Sequence, residues 1–133
     1  MGNYHLRARD IMHTEVATIL DDGTISEAAS QMRIEGTRSL IVVPHNADDS
    51  YGIITYADIV SKVLAEGRDP TMMRVDEVMT KPAITIAPGM EVKHIARLFR
   101  ATRIGHAPVV DGSKLLGMVS MTDLIVEVIN EPA

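Results

Sequence analysis

The same pattern of residues occurs twice along these 133 positions, in the same order each time. Asp10-Ile11-Met12 returns 67 positions later as Glu77-Val78-Met79. At that offset Thr18-Ile19 meets Thr85-Ile86, Ala29 meets Ala96, Arg33 meets Arg100, and Val42-Val43 meets Val109-Val110. After a slip of two residues, Gly52-Ile53-Ile54-Thr55-Tyr56-Ala57-Asp58-Ile59 falls on Gly117-Met118-Val119-Ser120-Met121-Thr122-Asp123-Leu124. Identities are few, but residue types keep their order, so the fold must be one that a unit of roughly 60 residues builds twice. Such a unit holds too little core to stand alone, and the two copies are expected to pack sheet to sheet with helices outside.

Each copy reads β-α-β-β-α. Val16 to Leu20 and Ala83 to Ala87 are extended and rich in β-branched residues, and are followed by the turn signals Asp21-Asp22-Gly23 and Pro88-Gly89. Thr24-Ile25-Ser26-Glu27 is a capping box that opens a helix with Ile25, Ala28, Ala29 and Met32 on one stripe. Val92, Ile95, Ala96 and Phe99 fill that stripe in the second copy. Leu40 to Val43 and Ala107 to Val110 are continuously apolar, as strands covered on both faces are. A turn leads to Gly52 to Thr55, or Gly117 to Ser120, and then to a closing helix. There Ile59, Val60, Val63 and Leu64 are answered by Leu124, Ile125, Val128 and Ile129. The fold class is therefore α/β (α+β), with the first repeat at residues 7–67 and the linker and second repeat at 68–133.

Composition removes several function classes. There is no cysteine, which excludes disulfides, thiolate metal sites and thiol catalysis and fits a reducing compartment. A net charge of −5 with scattered basic residues opposes nucleic-acid binding, and three Tyr, one Phe and no Trp supply few stacking platforms. Leu40-Ile41-Val42-Val43, the longest apolar run, is far short of a membrane span, and no signal-peptide stretch opens the chain. A cytoplasmic protein that binds neither membrane nor nucleic acid is the expectation.

The order of elements and the residues at their ends resemble the CBS domain, named after cystathionine β-synthase and also found in IMP dehydrogenase and AMP-activated kinase. The marks are Asp-Ile-Met or Glu-Val-Met ahead of a Thr-Ile strand, the Ala-containing first helix, and Pro108-Val109-Val110-Asp111. Gly-h-h-[Ser/Thr]-x-x-Asp, with h apolar, is present twice. The resemblance covers about residues 7 to 131 and implies a stand-alone CBS pair: a pseudo-twofold module with two clefts that usually dimerises. Such modules commonly bind adenine nucleotides and act as sensors rather than catalysts.

Thr55-x-x-Asp58 and Ser120-x-x-Asp123 sit where a strand enters a helix. A hydroxyl and a carboxylate at this spacing make a capping box that needs no ligand. The same carboxylate can accept hydrogen bonds from the vicinal hydroxyls of a ribose. The resemblance favours the second role. It implies a first cleft formed by Val16, Ala17, Thr18, Arg38, Ser39, Ile41, Thr55 and Asp58. The second would use Ala83, Ile84, Thr85, His106, Pro108, Ser120, Thr122 and Asp123. Where the family often has a basic residue just before the Asp, this chain has Ala57 and Thr122, which leaves Arg38 and His106 to meet phosphate. A monophosphate in the second cleft, near His106 and Thr122, is the expectation.

No other chemistry is assembled. His5, His13, His45, His94 and His106 share no metal-ligand spacing, and Met12, Met32 and Met79 fall at core positions, with Met72-Met73 as a lid or interface contact. Asp48-Asp49 reads as a solvated turn. No catalytic constellation appears, so an enzyme is not expected and neither cofactor nor metal is required. The expected ligand is an adenine nucleotide, AMP first and ADP or ATP next, and the expected partners are a second copy and an unidentified protein. The alternative is a dimerisation or docking module without a ligand.

Overall fold

Leu40 to Val42 and Ala107 to Val109 are buried, and a sheet forms around each run. A computed structural model describes residues 2–129. In chain order the elements are α1 (Ala8–Ile11), β1 (Thr18–Ile19), α2 (Ile25–Glu35), β2 (Ser39–Val42), β3 (Gly52–Thr55) and α3 (Tyr56–Ile59). A π-helical turn, Val60–Leu64, continues α3, and a 3-10 turn follows at Val75–Glu77. Next come α4 (Val92–Thr102), β4 (His106–Asp111), β5 (Lys114–Ser120) and α5 (Met121–Leu124), the last continued by a π-helical turn, Ile125–Ile129.

The chain divides into two compact units that do not coincide with the two sequence repeats. Val16–Ala83 form one, here the first-repeat unit; the stretch up to Glu15 joins the stretch from Ile84 onward as the second-repeat unit. Each leading tripeptide thus folds with the other copy's strands. Ala8 and Ile11 pack with Ile86, Val92, Ile95, Phe99, Ala107 and Val119. Val75 and Val78 pack with Ile25, Met32, Leu40, Ile54 and Val63. Backbone hydrogen bonds fasten both segments: Ala8 N–H to the Met90 carbonyl (2.8 Å) in one unit, Val75 N–H to the Gly23 carbonyl (2.8 Å) in the other.

In the first-repeat unit β1 runs parallel to β2, and β2 antiparallel to β3, with Thr18 level with Ile41 and Ser39 opposite Thr55. In the second-repeat unit β4 and β5 are antiparallel, with His106 opposite Ser120. The extended piece expected at 83–87 is reduced there to one parallel bridge, Ile86 to Val109. The cause is Pro108. It stands where Ile41 donates its N–H to the Ala17 carbonyl (3.0 Å), and proline has no N–H to offer. The β5 strand is longer than expected because only Gly112-Ser113 separate it from β4, and so short a connection lets pairing run to its end.

The two long helices bury narrower stripes than the spacing predicts. Ile25, Ala28 and Met32 are buried on α2, and Val92, Ile95 and Phe99 on α4, but Ala29 and Ala96 are exposed. Both helices end on a left-handed residue at the equivalent place, Gly36 (φ 67°) and Arg103 (φ 57°). The closing helices are split lengthwise. Ile59, Val63 and Val128 are buried, whereas Val60, Leu64, Ile125 and Ile129 face outward. Of the adjacent methionines, Met73 is core and Met72 is exposed.

Candidate functional site

Each unit carries one polar corner, at the point where its last strand becomes a helix. In the first-repeat unit Asp58 Oδ2 accepts from the Thr55 N–H (3.0 Å) and the Thr55 hydroxyl (3.1 Å), while the Asp58 N–H donates back to Thr55 Oγ1 (3.2 Å). In the second-repeat unit Asp123 Oδ2 accepts from the Ser120 N–H (2.7 Å) and hydroxyl (3.0 Å), and its own N–H donates to Ser120 Oγ (3.3 Å). Both are complete capping boxes. Each box uses one carboxylate oxygen and leaves the other, Oδ1, for a further partner, so capping and ligand binding are not exclusive.

The partner at Oδ1 differs between the units. At Asp58 it is Lys62, one helical turn on, with Nζ 3.4 Å away and donating to the Val78 carbonyl at 2.9 Å. At Asp123 it is His13, whose Nε2 lies 2.5 Å from Oδ1. Asp123 is nearly closed off, its side chain 7% exposed, while the His13 side chain is 68% exposed. Sequence reading missed both contacts. The i,i+4 spacing of Asp58 and Lys62 was a usable signal. His13 and Asp123 stand 110 residues apart, and nothing local pairs them.

A close backbone crossing brings His13 there. His13 and Met118 exchange two hydrogen bonds, each 2.9 Å, directly over Gly117. A Cβ on Gly117 would stand 2.5 Å from the His13 carbonyl oxygen. The glycine of the second Gly-h-h-[Ser/Thr]-x-x-Asp pattern is thus required by approach, not by dihedral angle. Thr80 and Ile53 make the equivalent exchange in the first-repeat unit (2.8 and 2.9 Å).

Of the expected first-cleft residues, Arg38, Ser39, Thr55 and Asp58 come together at the corner. Arg38 is exposed and its carbonyl accepts the Tyr56 N–H (3.0 Å); Ser39, buried, lies across from Thr55; and the β1–β2 register counts Val16 level with Ser39. Ile41 is wholly buried in the core, and the Ala17 carbonyl accepts its N–H. Thr18 turns elsewhere: its carbonyl accepts from Gln31 (2.8 Å), and it lines a depression of about 340 Å³ with Asp22 and Glu27, whose negative charge opposes phosphate.

The expected second cleft is less complete. His106 and Ser120 face each other across the β4–β5 pair, and Pro108 is buried beside them with Ile84 and Thr85 exposed. Ala83 belongs to the first-repeat unit, where its N–H bonds to the Tyr51 carbonyl (2.8 Å). Thr122 is exposed and lines an apolar groove of about 870 Å³ between α4 and the closing helix, together with Phe99, Leu124 and Val128.

The loop between β2 and β3 carries a connected set of shifted groups. The His45 N–H and the Lys81 ammonium (2.7 Å) hold the Asp49 carboxyl down to about 2. A 2.5 Å contact between His45 Nε2 and Asp21 raises the imidazole above its ordinary 6.5 and lowers the carboxyl. Asp49 is therefore the anchor of a tied loop rather than half of a solvated acidic turn. Among the described residues no group of three or more His, Asp or Glu converges, and no helix is long and apolar enough to cross a membrane.

With this geometry in hand, comparison with known proteins gives the class. The CBS domain family matches residues 8–65 and 75–130, and the chain belongs to it. The CBS domain-containing protein YhcV of Bacillus subtilis is 34% identical over 126 residues, which is 94% of this chain and 88% of that one. A hexameric CBS-CP12 protein from bloom-forming cyanobacteria superposes with a TM-score of 0.88 at 45% identity, over 90% of this chain and 69% of that one. The CBS domain pair of protein MJ0100, in complex with 5-methylthioadenosine and S-adenosyl-L-methionine, superposes at 0.78 with 28% identity, over 90% and 96%. The chain spans only 59% of the length of another curated relative, from Methanopyrus kandleri.

Proposed function

We propose that the chain is a regulatory module that binds an adenine nucleotide, AMP foremost, at the two hydroxyl-x-x-Asp corners and passes its occupancy to a protein partner. The observation that carries this reading is the half-used carboxylate. In both units Oδ2 is fixed by a cap and Oδ1 faces a replaceable polar side chain, so a ribose hydroxyl can be accepted without unmaking the helix start. The adenosyl ligands bound by the related MJ0100 pair support the same ligand class. The base would lie against Val16 and Ala17 in one unit, and against Ile84, Thr85 and Pro108 in the other.

Positive charge favours the first-repeat unit for the phosphate, because Arg38 and Lys62 both stand at its corner. This differs from the expectation from sequence, which places the phosphate in the second cleft near His106 and Thr122. Occupancy would act by differential affinity: whichever arrangement of the closing helices holds the ligand more tightly gains population in proportion. The outward apolar row on those helices (Val60 and Leu64; Ile125 and Ile129) supports a second copy or a protein partner there. Sedimentation of the full chain would report self-association through it.

The test is a thermal-shift panel with AMP, ADP, ATP, NAD and S-adenosylmethionine. A ligand at 100 times its Kd adds about 2.7 kcal/mol to stability. An AMP-dependent rise of several degrees, reduced in Asp58→Asn or Asp123→Asn, is expected. No shift with any of the five would refute the reading in favour of a docking module without a ligand.

A further inference from the structure

We propose that His13 is a built-in competitor for the ribose-binding carboxylate of the second-repeat unit, and so sets that cleft's affinity below what its corner would otherwise give. The inference rests on the nucleotide reading above and adds a residue that the resemblance does not supply. Asp123 Oδ2 is committed to Ser120, and Oδ1 is the one oxygen left to receive a ligand hydroxyl. His13 Nε2 sits on that oxygen at 2.5 Å. The backbone of His13 is pinned to Met118 on both sides, so the imidazole is delivered to the site by the fold and not by chance encounter.

The imidazole is displaceable. Its side chain is 68% exposed, so rotating it away from Asp123 sacrifices one charge-assisted hydrogen bond and little packing. A ligand hydroxyl that takes Oδ1 must replace that bond before it gains anything.

The first-repeat unit provides the internal contrast. Thr80 holds the position of His13 there, bridged in the same way to Ile53, and Asp58 Oδ1 meets Lys62 instead. The two corners share every capping bond and differ in the side chain that reaches Oδ1: Lys62, one helical turn on at 3.4 Å, at the first, and His13, at 2.5 Å, at the second. The pair of clefts is thereby unequal by construction, with the second-repeat cleft filling at the higher ligand concentration.

The experiment is calorimetric titration of the full-length protein with AMP, isolating each cleft by blocking the other. In an Asp58→Asn background, His13→Thr should tighten AMP binding on the order of tenfold, the worth of one charge-assisted hydrogen bond. In an Asp123→Asn background, Thr80→His should weaken binding at the first cleft. Neither substitution should change the affinity for 2′,3′-dideoxy-AMP, which presents no diol. A structural pin would lower melting temperature without producing this ligand-selective gain. If His13→Thr leaves AMP affinity unchanged or weakens it while the wild type binds, the competitor is overturned and the nucleotide reading stands. If neither the wild type nor any variant binds AMP, both fall together.

Discussion

Adding one methyl group at Gly117 tests the crossing that carries His13 to its place. Gly117 is outside the left-handed region, so alanine fits the backbone, and reduced freedom of the unfolded chain would by itself favour the variant by about 0.4–1 kcal/mol. Against this stands a Cβ placed 2.5 Å from the His13 carbonyl oxygen and 2.9 Å from Met12 Sδ. The sulfur can move; the carbonyl is backbone, held in a two-bond exchange with Met118. Overpacking costs about 1–3 kcal/mol, and each loosened backbone hydrogen bond about 0.5–1.5 more. The net expectation is about 2–4 kcal/mol, a fall in Tm of roughly 10 °C. Gly52 holds the same place in the first-repeat unit, yet its nearest contact would be 3.2 Å, to Val42 Cβ. Gly52→Ala should therefore stay within about 1 kcal/mol of wild type. Urea unfolding of both variants, with hydrogen exchange at the His13 and Met118 amides, measures the difference. Equal destabilisation by the two alanines, or intact protection at His13 in Gly117→Ala, would refute the argument.

Other consequences are as direct. Arg103 closes α4 in a left-handed conformation that glycine adopts freely at Gly36, so Arg103→Gly should stabilise the protein by up to about 1 kcal/mol in urea unfolding. Ile95→Ala, at a wholly buried position, should cost about 2–5 kcal/mol, and Ile34→Ala, at a position 77% exposed, less than about 0.5 in the same assay. The His45 contribution is present in full below pH 6.5 and disappears as pH rises through its elevated pKa. That of Asp21 is present above 3.8 and disappears as pH falls through its depressed pKa. An NMR titration of His45 should return to the ordinary range in Asp21→Asn. The Asp49 carboxyl should titrate near 2, so its contribution is lost between about pH 4 and 2. Lys81→Met should move that midpoint upward.

Much of this molecule is readable without coordinates, because its determinants are local. Burial on both faces makes Leu40 to Val42 continuously apolar, and α3 and α5 are each started by Thr or Ser three residues before Asp. Both signals lie within a few residues and appear twice. Even the missing strand before Ile86 is written in Pro108, once the partner of its absent N–H is known. The repeated pattern likewise carried the family and the two Asp corners.

Other features arise only in three dimensions. Tandem similarity cannot say which copy's leading segment packs on which copy's strands, because either arrangement buries Ile11 or Val78 equally well in a periodic sense. Closure decides it, and the entropy of closing a loop grows so slowly with length that the more distant pairing is hardly penalised. From that pairing follow the crossing over Gly117 and the meeting of His13 with Asp123. The repeats already differ one turn beyond each Asp, where Lys62 has Glu127 as its counterpart; the exchange of segments adds His13, because only tertiary contact can set one side chain against a carboxylate 110 residues away.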